Sequence, residues 1–153
     1  MHHLFSGFSG FILGLVILVG IFCASYFSKK FDAYNLDPMG VSGAFDPILN
    51  RYIRLAEFVV GLATGSIVLL VGSSAFHSQA GHLPWFYASP LLLLAYSVVY
   101  AIAFMVWLVH NYEEVRHGNP HTRFAYSLSE TFGFSSLACF CCGYIWLIVI
   151  VTR

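Results

Sequence analysis

The stretch RYIRLAEFVVGLATGSIVLLVGSS, residues 51–74, decides the fold. It carries no charged side chain after Glu57, and its length matches the roughly 20 residues a helix needs to cross a hydrocarbon core. A carboxylate near the edge of such a run costs free energy unless a partner or water reaches it. Gly61, Gly65 and Gly72 follow the acid at near-helical spacing, so acid and glycines share one helix face. Small residues permit close helix contact, and the expectation is that this face meets protein rather than lipid.

The rest of the chain has the same character. Of its 153 residues 59% are hydrophobic, 18% aromatic and only 9% charged, where a soluble domain carries about a quarter charged residues. The composition therefore belongs to a membrane protein whose first partner is the lipid bilayer. Seven basic and seven acidic residues cancel, which leaves no basic surface for a nucleic acid.

The pattern predicts an all-α membrane protein: a four-transmembrane-helix up-down bundle and one integral membrane domain, with helices over residues 4–27, 47–76, 85–110 and 124–151. Asp46 and Pro47 suit the N-cap and first position of helix 2. The first segment has no basic leader and no small-x-small cleavage site before Lys29, so it is expected to be a retained helix. Lys29, Lys30, Arg51 and Arg54 lie in the first connection, Arg116 and Arg123 in the third, and none in the second. The positive-inside rule then puts both termini outward and the two basic loops in the cytoplasm. A cytoplasmic membrane of bacterial type is the expected location.

Two kinds of candidate residue stand out. Gly7, Gly10 and Gly14 on helix 1, with Gly61 and Gly65 on helix 2, form small-residue faces for helix contact. Glu57 and Glu130 lie a short way inside the cytoplasmic leaflet on helices that run in the same direction. Arg54 precedes Glu57 by three residues and Arg123 precedes Glu130 by seven. Two acids at similar depth repel unless bases join them, so the expectation is a shared polar cluster of Arg54, Glu57, Arg123 and Glu130. Such a cluster either pins the bundle or lines a proton or cation path.

Topology sorts the seven histidines. His2, His3, His77 and His82 fall outside, where neutral imidazoles suit copper or zinc. His110, His117 and His121 fall inside, near Glu113 and Glu114. No pair faces another at depth as bis-histidine haem requires, and no cofactor is strongly indicated. Nucleophile-elbow, H-E-x-x-H and P-loop motifs are absent from the sequence.

Cys139 and Cys142 form a C-x-x-C spacing in helix 4 that resembles vitamin K epoxide reductases, which are also four-helix membrane proteins. That resemblance implies an outer-loop cysteine pair as relay, and the outer loop here holds no cysteine. Size and topology also resemble the membrane-associated eicosanoid and glutathione metabolism family. The family's glutathione motif in helix 2 runs R-x-x-x-N-x-x-E, whereas this chain has Asn50, Arg54 and Glu57, with the first two reversed. Arg123 and Tyr126 stand where the resemblance wants a basic and an aromatic residue, while helix 3 lacks an internal arginine.

The leading expectation is a non-catalytic integral membrane subunit, self-assembled or docked on a larger membrane complex. A small homo-oligomeric ion or proton pathway is the first alternative. The resemblance to the eicosanoid and glutathione family implies the second, a glutathione-type membrane transferase.

Overall fold

The computed structural model describes residues 2–27, 45–72, 85–117, 119 and 122–152. These form α1 (His2–Tyr26), α2 (Phe45–Gly72), a single 3-10 turn (Trp85–Tyr87), α3 (Ala88–Arg116) and α4 (Arg123–Val151). Helix α2 starts at Phe45, so Asp46 and Pro47 occupy its first turn instead of Asp46 standing outside as the cap. The helix thus starts two residues before the expected 47, a difference of the size by which helix ends commonly vary. The expected end of helix 2, residues 73–76, lies outside the described residues.

Helix α3 runs to Arg116, six residues past the expected end at 110. Its 29 residues make about 43 Å of helix against a hydrocarbon core of about 30 Å, so the polar Asn111–Arg116 segment has room in the interfacial layer. Arg116 in the last turn suits the negative end of the helix. At the start of α4 the Thr122 hydroxyl accepts from the Ala125 N–H at 3.2 Å, an N-cap that closes the return from α3.

All four helices are long and apolar enough to cross a membrane, which makes the chain a multi-pass integral membrane protein. Its outer surface agrees. Val16, Leu69, Val106 and Ile145 are each more than half exposed, on four different helices. A soluble bundle would place such residues inward, whereas lipid is their proper solvent.

The packing follows from chain order. α3 and α4 form an antiparallel hairpin with the most extensive helix–helix contact. Ser97, Ser129 and Ser136 are buried and bonded there, while Ser127, Thr131 and Ser135 are buried elsewhere along α4. Where helices cannot gain from expelling water, small side chains bring backbones close and their hydroxyls bond across. Ser136 Oγ donates to the Ser97 carbonyl at 2.9 Å, and Asn111 Nδ2 donates to Ser129 Oγ at 3.0 Å. Toward the opposite end, Gly143 faces Leu94 and the Pro90 carbonyl.

Helix α1 packs against both α3 and α4, and α2 packs mainly against α3 with little contact to α4. α1 runs parallel to α3: Gly10 lies on Ser89, Gly14 on Tyr96, and the Tyr100 hydroxyl donates to the Gly14 carbonyl at 3.4 Å. α2 runs parallel to α4, with Ala63 in the cluster that holds Leu94 and Leu147, and Ser66 hydrogen-bonded to the Tyr144 hydroxyl. The up-down order thus appears directly in the side-chain contacts.

The first test concerns orientation. In intact cells a cysteine introduced at Asn119, in the turn between α3 and α4, is expected to resist a membrane-impermeant thiol reagent. Terminal tags are expected to be reached from outside. External labelling at Asn119 would reverse the topology.

Candidate functional site

Glu130 is the embedded acid with the best-defined surroundings. It lies on α4, half-buried, about two turns in from the start of the helix. Ser25 on α1 donates its hydroxyl to Oε2 at 2.5 Å, and Tyr126, one turn earlier on α4, donates to Oε1 at 2.5 Å. Both lengths match charge-assisted O–H···O bonds. Each hydrogen bond to a charged group contributes about 1.5–3 kcal/mol. An acid near a membrane helix centre costs about 2.5–3.5 kcal/mol, and less toward the interface. Two hydroxyls therefore offset much of the cost of this carboxylate, and neither brings it a positive charge.

The local sequence explains how the donors arrive. Ser25 follows Gly14 by eleven residues, three turns along the same face of α1, and both are buried. The glycine face that lets α1 approach α3 thus also carries a serine to α4. Tyr126 precedes Glu130 by four residues and reaches it along one helix face.

Arg123 belongs to the same end of the bundle. Its guanidinium sits over the Tyr26 ring, 5.6 Å from the centroid, and Phe22 meets Phe124 edge-on at 6.1 Å. A cation–π contact is one proper use of an arginine at a helix start near the interface.

The expected four-residue cluster is not brought together within the chain. Arg54 and Glu57 are exposed on α2, and among the described residues neither makes an ion pair or hydrogen bond to Arg123 or Glu130. The reason is rotational. α2 meets the bundle through Ala56, Val59 and Ala63, which are all buried, and Glu57 lies on the other side. Asn50, Arg54, Gly61, Thr64, Gly65, Val68 and Gly72 share that outer side and are all exposed. A Cβ added at Gly61, Gly65 or Gly72 would meet nothing within 4 Å. Gly10 and Gly14 are contact glycines as expected, while Gly61 and Gly65 make no contact inside this chain.

The remaining candidates divide by what is described. Gly7 belongs to α1, but its surroundings and the side chains of His2 and His3 are outside what the structure describes, as are residues His77, His82 and His121. Among the described residues no group of three His, Cys, Asp or Glu side chains is placed to hold a metal. His117 Nδ1 lies 2.8 Å from the Glu113 carbonyl, and the Asn119 amide donates to Glu114, so both residues bond back onto the last turns of α3.

All four cysteines are free thiols. Cys139 is fully buried against Leu93 and Tyr100, Cys142 is half-buried beside them, and Cys141 is exposed. Cys139 thus behaves as a small core side chain. Changing Cys139, Cys141 and Cys142 together to Ala is expected to leave the assembly intact and cost about 1 kcal/mol, from the one methyl-sized gap at Cys139. Thermal unfolding in detergent checks this, and a redox-dependent activity lost in that variant would instead mark the pair as reactive.

Two cavities border Glu130. One, of about 380 Å³, lies among α2, α3 and α4, with Tyr52, Val59, Phe104 and Leu108 on its walls. The other, of about 500 Å³, lies between α1 and α4, with Ile21, Ser25 and Cys141 on its walls. Glu130, Phe134 and Leu137 belong to both, as a ridge of α4 that stands between two grooves. Sequence reasoning found Glu130 by its depth but missed Ser25, Tyr52 and the paired grooves. The spacing of Ser25 from Gly14 was the available signal.

Fold and site define a four-helix multi-pass membrane protein with one hydroxyl-bound acid between two grooves. No protein-family model matches the chain, and no curated protein or solved structure matches it either. The resemblances to vitamin K epoxide reductases and glutathione-type transferases therefore rest on topology and fragments of motif alone.

Proposed function

We propose that this chain is a non-catalytic integral membrane subunit, which assembles with itself or on a larger membrane complex through the outer face of α2. One observation carries the reading. Glu57, Gly61, Thr64 and Gly65 are all exposed on the side of α2 that faces away from the bundle. Lipid is the wrong neighbour for that combination: a carboxylate is costly there, and glycines gain nothing from contact with acyl chains. A second helix seated on the face would relieve both, since glycine allows backbone approach and Arg54 and Glu57 offer charges to pair. The base asymmetry of the loops supports a cytoplasmic membrane of bacterial type as the setting.

The test is mass analysis of the protein purified from its native membrane in mild detergent. A closed homo-oligomer or a defined heteromeric complex is the expected result. A single 17.0 kDa chain with nothing bound would overturn the reading.

The outward position of Glu57 also favours a second reading, in which α2 helices of several copies surround an ion or proton path. Reconstituted vesicles decide this. Proton flux that is present in the wild type and lost in Glu57→Gln, with assembly retained, would make the acid a conducting group.

A further inference from the structure

We infer that the two grooves beside Glu130 form a binding site for one membrane lipid with two acyl chains and a headgroup amine that carries N–H donors. The two cavities are not independent pockets. They share Glu130, Phe134 and Leu137, so they run on either side of one ridge of α4 and meet at the carboxylate. Their volumes, about 380 and 500 Å³, lie within the range of ordinary ligand sites.

The walls state what each part of the ligand must be. Leu55, Val59, Phe104 and Leu108 line one groove and Ile21, Ala24 and Ala138 the other, so both take hydrocarbon. Phe134, the ridge between them, is 57% exposed, so the grooves open sideways toward the bilayer. A lipid can enter from the membrane plane, where a water-soluble ligand would have to cross acyl chains. A single-chain amphiphile fills one groove, whereas two chains straddling the ridge fill both.

The headgroup follows from the acid. An ionised carboxylate offers about four acceptor positions. Ser25 takes one on Oε2 and Tyr126 one on Oε1, and among the described residues no ion pair takes the others. The remaining positions call for a donor that is also cationic, because a bare negative charge at the edge of hydrocarbon is what needs compensation. A primary ammonium supplies both the charge and the N–H groups. A quaternary trimethylammonium supplies the charge but no donor. Helical side chains lean toward the N-terminus, which tilts the Glu130 carboxylate toward the start of α4, the end at which headgroups lie.

The site is separate from the outer face of α2, so its failure would leave the proposed assembly surface untouched. The experiment uses the full chain in nanodiscs whose lipids have brominated acyl chains, with quenching of tryptophan fluorescence as the readout. Of the three tryptophans, Trp107 immediately precedes Leu108, a wall of the first groove, and donates to the Ala125 carbonyl at 3.2 Å. Brominated phosphatidylethanolamine is titrated into a phosphatidylglycerol background, and brominated phosphatidylcholine is titrated separately. The ethanolamine lipid is expected to quench at least threefold lower mole fraction than the choline lipid. Glu130→Gln is expected to abolish that preference while keeping quenching by bulk lipid. Equal quenching by the two lipids in the wild type would overturn the proposal without recourse to any variant. A preference that survives in Glu130→Gln would equally overturn it, because the amine would then be held elsewhere.

Discussion

Gly10→Leu is expected to release α1 from the bundle, with a loss of about 3 kcal/mol or more in stability. A Cβ built at Gly10 would lie 2.9 Å from both the Cα and the carbonyl oxygen of Ser89. Those are backbone atoms of α3, and they move only if the helix moves. At Gly14 the obstacle is the Tyr96 ring, 2.6 Å from a built Cβ. That ring is itself confined, stacked on Tyr100 at 5.5 Å and against Phe11 at 6.0 Å. Gly14→Leu should therefore cost nearly as much. Leu15 and Val16 are 41% and 59% exposed, and apolar exchanges there change only the contact with lipid. Gly20→Leu is the internal control, because a Cβ at Gly20 meets nothing within 4 Å. Thermal unfolding in detergent separates the two groups. Gly10→Leu and Gly20→Leu unfolding at the same temperature would show that α1 is not seated on α3 in this way. Because Ser25 lies on the same helix face, release of α1 should also remove one of the two donors of Glu130.

Four helices were legible in the sequence because a bilayer imposes a single length on every crossing, and composition alone meets that demand. The α1 contact was legible too, since three glycines on one face of an otherwise bulky helix have few other uses. The rotation of α2 was not legible. Depth can be counted along a chain, which is why Glu57 and Glu130 read as acids at similar levels. Azimuth depends on which side of α2 meets α3. There Ala56, Val59 and Ala63 outcompeted the glycine face, since small and β-branched apolar residues pack against α3 as readily. The glycines then faced outward together with the acid.

The partners of Glu130 were hidden for a related reason. The sequence suggests arginines for an embedded acid, because an opposite charge is the largest single compensation. Two hydroxyls from different helices offset much of that cost instead, and nothing in a single sequence brings residue 25 beside residue 130. The spacing of eleven residues from Gly14 put Ser25 on the buried face of α1. It could not say which helix that face would meet.

The second large effect is expected at the outer face of α2, where two measurements should move in opposite directions. Gly61→Leu adds a leucine where a Cβ meets nothing within 4 Å, so the chain itself loses no packing. Glu57→Leu removes an exposed carboxylate from the edge of the hydrocarbon, a group that costs up to about 2.5–3.5 kcal/mol at a helix centre and less near the interface. The thermal stability of the isolated chain should accordingly stay constant for Gly61→Leu and hold or rise for Glu57→Leu. Among the described residues Arg54 has no ion pair with Glu57 to lose. Assembly should respond the other way. A leucine at position 61 keeps a neighbouring backbone at a distance, and a leucine at position 57 withdraws the charge that a partner would pair. Each change is expected to weaken association at least tenfold, about 1.4 kcal/mol. Glu57→Gln keeps shape and hydrogen bonding and should fall between wild type and Glu57→Leu. Dilution series followed by mass measurement in detergent give the association constants. Unchanged association in Gly61→Leu and Glu57→Leu would remove α2 as the assembly face. A fall in chain stability parallel to the fall in association would show instead that the face belongs to the folded chain, turned inward against the bundle.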